Sequence, residues 1–130
     1  MSSQSSKDKT HLEKAESLLN TAYQELEAAQ QTAELERARD AAGKAWAALV
    51  EATRALFLSH EVREEELPKT HRGTRFMLAQ YGGAELRVIY SEAYEDVHQD
   101  ACYDGLINFE ILNSRFSDVR RFIEAAKSPV

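Results

Sequence analysis

Cysteine is nearly missing. Cys102 is the one cysteine among 130 residues, so no disulfide can close within the chain. Proline is almost as scarce: of the two, Pro129 stands next to the end, which leaves Pro68 as the only internal one. Five glycines complete a short supply of turn residues. A β-sandwich asks for a turn every ~8–12 residues, and this chain lacks the residues to make them, so the scarcity favours a few long helices. No apolar run reaches the ~18 residues of a membrane span. No apolar stretch follows a charged start either, so the sequence reads as lacking a signal peptide, and as cytoplasmic. Positive charge is short as well: 16 Lys and Arg against 22 Asp and Glu leave a net charge of −6. That disfavours broad, non-specific nucleic-acid binding but leaves room for a local basic site. What is present in quantity is apolar side chain, 43% of residues, enough for one core without a metal or a cross-link to staple it. Nothing in the composition asks for a cofactor.

Along the chain, residues 1–7 are Ser-rich and read as an unstructured lead, followed by a single domain over residues 8–130. Thr10 with Glu13 makes a capping box for a first helix. That helix carries Leu12, Ala15, Leu19, Ala22, Leu26 and Ala29 at spacings of three and four. The stripe loses phase near 30–35. A second helix, 36–59, carries an Ala-rich stripe from Ala38 to Leu56 and beside it Trp46, Val50, Thr53 and Phe57. Two stripes on one helix predict a central position and a buried Trp46. The charged stretch 59–69 ends at Pro68, which breaks helical geometry before it. Thr70 then caps a third helix, 71–81, with Phe76, Met77, Leu78 and Tyr81 as its apolar residues, stopped by Gly82 and Gly83. A fourth helix runs 84–104 to Gly105, with Leu86, Tyr90, Ala93, Val97 and Ala101 inward. A last helix starts at Ser114 or Ser117, and residues 106–113 either extend helix four or form an extended link. The fold class predicted is all-α, an up-and-down helical bundle of four to five helices.

Three groups of residues carry candidate chemistry. Lys69, Thr70, His71, Arg72 and Arg75 gather cationic side chains at the start of the third helix, where unpaired N–H groups and the dipole favour a phosphate. Gly73 lets an anion approach the backbone, Arg54 and Arg63 lie on the approach, and Glu64, Glu65 and Glu66 oppose them. The plain alternative is a charged, soluble hinge. Glu95 and His98 match one carboxylate–histidine step of a di-iron bundle, where two are needed. On an α-helical wheel Cys102 joins them, with Arg87 and Ser91 beneath, as a partial metal-ligand set. There the plain alternative is a solvated or subunit-facing polar stripe. Cys102 as a nucleophile has His98 one turn away and no orienting acid.

The stretches ARDAAGKAWAALVEATRALFLSH, PKTHRGTRFMLAQYG, SEAYEDVHQDACYDG and SDVRRFIEAAK resemble the HEPN superfamily, nearest to its short stand-alone prokaryotic members. The likeness spans roughly residues 10–127 and rests on an Ala-rich second helix around Trp46 and on a helix start with Lys69, His71 and Gly73. It implies a helical bundle, commonly a homodimer, that often works beside a nucleotidyltransferase partner in toxin–antitoxin or related two-gene systems. It also implies, for many members, a metal-independent ribonuclease with an Arg-x4–6-His motif. The only formal match is Arg54 with His60, at the end of the second helix; in the later helices Arg87 and His98 have ten residues between them. The motif is therefore missing where the resemblance places it. The expected activity is binding of a nucleotide, an RNA or a nucleotidyltransferase-type partner rather than catalysis, with ribonuclease and Glu95/His98 metal-binding bundle as the alternatives.

Overall fold

The computed structural model describes residues 3–127, with side chains from Asp8 onward. Its elements are α1 (Ser3–Thr32), α2 (Leu35–Ser59), α3 (His71–Tyr81), α4 (Gly83–Ala93) and α5 (Phe109–Lys127). A π-helical segment, Tyr94–Tyr103, continues the rod of α4, and one 3₁₀ turn, Glu64–Glu66, interrupts the α2–α3 link. No strand occurs among the described residues, and the all-α bundle is as the periodicity predicts.

The core forms where the stripes meet. Ala15, Leu19, Ala22, Leu26 and Ala29 of α1 are fully or almost fully buried against the alanines of α2. Small side chains let the two axes approach closely. The opposite side of α2 receives α5 and the π-helical segment, so α2 is central and Trp46 is only 9% exposed. Phe116, Val119, Phe122 and Ile123 of α5 close that side.

The helix ends show where sequence and structure part. α1 begins at Ser3, so Thr10 is inside the helix rather than at its start; residues 1 and 2 of the Ser-rich lead lie outside the described residues. Neither α1 nor α2 ends on glycine. Ala33 takes φ +57° after α1 and Glu61 takes φ +68° after α2. At Glu61 the cap is complete: its N–H donates to the Leu58 carbonyl and that of Val62 to the Phe57 carbonyl, the paired bonds of a Schellman end. Thr70 does cap α3, its Oγ1 accepting the Gly73 N–H at 3.0 Å. Phe76 is not inward; it is 75% exposed, and Leu78 alone of α3 is buried. The last helix starts at Phe109 rather than Ser114, because Asn108 caps it by accepting the Ile111 N–H at 3.0 Å. The apolar 106–113 stretch thus divides between a short link and the first turn of α5.

The π-helical segment is the unforeseen element. Its turns hold more residues than an α-turn because bonds run i→i+5, as where the Asp104 N–H donates to Gln99 at 2.9 Å. Residues three apart therefore diverge more than on an α-helix. Arg39 of α2 secures the segment's end, donating to the carbonyls of Cys102 (2.7 Å) and Tyr103 (2.6 Å). On the other side Arg115 of α5 bonds Asp96 at 2.8 Å and also pairs with Glu92 and Asp118.

Candidate functional site

A cavity of about 480 Å³ opens between the C-terminal half of α2 and the link that leads into α3. Pro68 holds that link extended and Thr70 fixes the helix start, so Lys69, Thr70, His71 and Thr74 come to one wall. Arg54 and Thr53 of α2 and His11 of α1 form the facing wall, Glu64 is the acid among the lining residues, and Val50, Phe57, Leu67 and Pro68 supply apolar surface. The volume falls within the ~300–1,000 Å³ of small-molecule sites, and the mixture of apolar wall with a few polar groups is what such sites show.

Behind that wall lies a buried carboxylate. Glu51 sits in the alanine stripe of α2 and is 7% exposed. Its Oε2 bonds Nδ1 of His11, its Oε1 faces Arg54 at 3.6 Å, and Lys14 lies at 3.5 Å. Burial pushes the carboxyl towards its neutral form. The His11 hydrogen bond and the positive charges of His11, Lys14 and Arg54 overcome that and hold its pKa below the ordinary value. Asp8, one turn before His11, has the opposite balance. Burial raises it to about 6, against the His11 charge and with help from Glu61.

His71 joins the cavity to a nest of rings. Trp46 lies within 4.8–5.8 Å, centroid to centroid, of His71, Tyr90, Tyr94 and His98, and the His98 ring stacks on it at 4.8 Å and 15°. His71 packs on Tyr94 at 4.0 Å, and its Nδ1 is 2.9 Å from the Tyr90 hydroxyl. Nδ1 of His98 is buried with no hydrogen-bond partner. Burial lowers the pKa of both imidazoles, and for His71 the nearness of His98 lowers it further. Both rings are therefore mostly neutral at pH 7, and His71 takes up charge only at lower pH than a free histidine does.

The sequence-predicted residues do not gather in one place. Lys69, Thr70 and His71 line the cavity together with Arg54. Arg72 is exposed and Arg75 borders a neighbouring shallow pocket with Ser91, Tyr94 and Glu95. His60 packs on Tyr81 at a centroid distance of 5.3 Å while Arg54 pairs with Glu51, so the formal Arg–His motif does not converge on one point. Arg87 is exposed on α4 and His98 is in the ring nest, so that pair does not form a site in this chain either. The wheel that grouped Glu95, His98 and Cys102 fails because the segment is π-helical. Glu95 stays outside, His98 turns onto Trp46, and Cys102 faces Gly43, where an added Cβ would lie 3.2 Å from its Sγ. No group of three His, Cys, Asp or Glu able to hold a metal occurs among the described residues. The sequence reading missed His11 and Glu51. The one available signal was an acid at a position of the α2 stripe flanked by Ala48, Ala52 and Ala55.

No helix among the described residues is long and apolar enough to cross a membrane. No curated protein and no solved structure matches the chain. Over residues 11–123, a span that contains the cavity, the ring nest and all of the core helix α2, the sequence matches the archaeal PaREP1/PaREP8 family, and the protein belongs to that family.

Proposed function

We propose that this bundle, of the HEPN type its sequence resembles, binds the phosphate of a nucleotide or RNA in the cavity between α2 and the start of α3, and acts by binding rather than by catalysis. The observation that carries the reading is the convergence of Lys69, Thr70 and His71 from one wall with Arg54 and His11 from the other. The N–H groups of the first turn of α3 and its dipole add an attraction worth only ~0.3–1 kcal/mol when exposed, so the side-chain cations supply most of it. Arg72 and Arg75 act outside the cavity, on the remainder of a longer ligand. The bundle works as a homodimer: Val88, Leu106 and Ile111 are exposed, and a second copy would cover such side chains. A nucleotidyltransferase-type protein is the partner that would deliver or receive the nucleotide.

Titration with nucleotides at low and physiological salt tests the reading. Affinity falls steeply with salt, because phosphate contacts displace counterions. Arg54→Ala and Lys69→Ala weaken it more than Arg72→Ala does. Binding that ignores salt and survives both cavity substitutions would place the ligand elsewhere.

A further inference from the structure

We infer that the cavity selects a terminal phosphate, the phosphomonoester of a mononucleotide, over the phosphodiester of a chain, and that His11, positioned by Glu51, makes the selection. The inference rests on the phosphate-binding reading above and names the ligand class for that site.

Glu51 is the reason to look here. A buried ion pair is weak support for stability, and an apolar residue of similar volume would serve a packed stripe at least as well. This carboxylate instead has cations from two helices on it: His11 and Lys14 from α1, Arg54 from α2. Two of the three, His11 and Arg54, also line the cavity. With Nδ1 engaged by Glu51, the ring of His11 is fixed in orientation and Nε2 is its remaining donor. An anion bound in the cavity would set this ring between two negative groups, Glu51 and the ligand.

The groups around His11 set the charge a ligand meets. On its own helix stand Asp8 and Lys14; Glu61, from the end of α2, lies near Asp8. Across the cavity are Lys69, the neutral His71 and Glu64. His11, Arg54 and Lys69 thus reach one open cleft from three parts of the chain. A monoester brings two negative charges and three terminal oxygens to share among them. A diester brings one charge and two free oxygens, and its chain must leave the cavity at both ends. A volume of about 480 Å³ suits one nucleotide and not a chain. Val50, Phe57, Leu67 and Pro68 offer the apolar wall for its base.

The experiment is calorimetric titration of the full chain at low salt with the four nucleoside 5′-monophosphates, the methyl esters of their phosphates, and the phosphate-free nucleosides. The wild type binds at least one monophosphate about tenfold more tightly than its methyl ester. His11→Ala weakens the monophosphate about tenfold and the methyl ester less than threefold, so the preference collapses. Glu51→Gln, which keeps a hydrogen-bond acceptor for His11 and removes the charge, reduces the preference in the same direction. Should Glu51→Gln lose its helical spectrum, His11, whose side chain is 21% exposed, decides the matter alone. Equal affinity for monophosphate and methyl ester in the wild type, an unchanged ratio in His11→Ala, or equally tight binding of an oligonucleotide without terminal phosphates would overturn the selection and leave the phosphate site standing. Failure of every phosphate compound to bind would remove the site itself.

Discussion

Replacing Trp46 with alanine tests the ring nest and the core together. Burying a tryptophan withdraws about 200 Å² from water, worth about 5 kcal/mol at 25 cal/mol per Å², an upper bound because the unfolded chain is itself partly collapsed. Alanine keeps a small part of that, and the void left among Tyr90, Tyr94, His71 and His98 collapses incompletely. The expected cost is about 4 kcal/mol. A domain of this size has about 5–15 kcal/mol in total, so the variant remains folded and measurable by urea melts followed in the far ultraviolet. Trp46→Phe keeps an aromatic ring and should cost about half as much. A second reading separates the nest from bulk packing. With the indole gone, His98 gains solvent, and its imidazole titration, followed by NMR, moves up towards the ordinary histidine value. A cost below about 1 kcal/mol, or a His98 titration that does not move, would refute the reasoning that Trp46 is the packed centre of this cluster.

Acidification weakens the fold through the same rings. The folded pKa values of His71 and His98 lie below the ordinary 6.5, so their contribution is complete above pH 6.5 and is lost as pH falls from 6.5 towards the depressed values. The wild type should therefore lose more stability between pH 7.5 and 5.5 than His98→Phe does, and equal losses would contradict it. Asp8 has the reverse sign: raised to about 6, it costs stability once ionised. Asp8→Asn is expected to stabilise by about 1 kcal/mol at pH 7.5 after screening at a half-buried site, with a smaller gain at pH 4.5, in thermal melts at the two pH values. Glu61→Gly relieves an L-residue at φ +68° and removes a charge beside Asp8. Its net gain is about 0.5–1 kcal/mol after the entropy glycine adds to the unfolded chain, and destabilisation in urea would mean that the αL geometry is not the governing factor.

Most of the fold was legible because its helices carry unbroken apolar stripes. Ala15 to Ala29 and Ala38 to Leu56 could be placed from spacing alone, and Thr70 and Gly82 marked both ends of α3. The ends of α1 and α2 were legible from the loss of phase near 30–35 and from the charged stretch that begins at Ser59; what was not legible is that Ala33 and Glu61, rather than glycine, take the left-handed positions there. The start of α5 was hidden because Asn108 falls inside an apolar run. Of the candidate site, Lys69 and His71 were legible as basic residues at a helix start capped by Thr70. His11 was not, because it lies 40 residues from Glu51 and only the α1–α2 pairing joins them. His98 was misplaced because a wheel drawn at the α-helical period does not describe a π-helical segment, where residues three apart diverge more than on an α-helix. The same shift parted Glu95 from His98, while Cys102, four residues on, stays on the side that faces α2.

The central claim, a phosphate site where α3 begins, is tested most directly by backbone amide NMR of the protein titrated with a nucleoside 5′-monophosphate. Saturable shifts concentrated at Thr70, His71, Arg72 and Gly73, with Arg54 and His11 moving at the same ligand concentration, are the predicted result. Shifts confined to the face that carries Arg87 and Glu95, or no saturable shift at the start of α3, would contradict it.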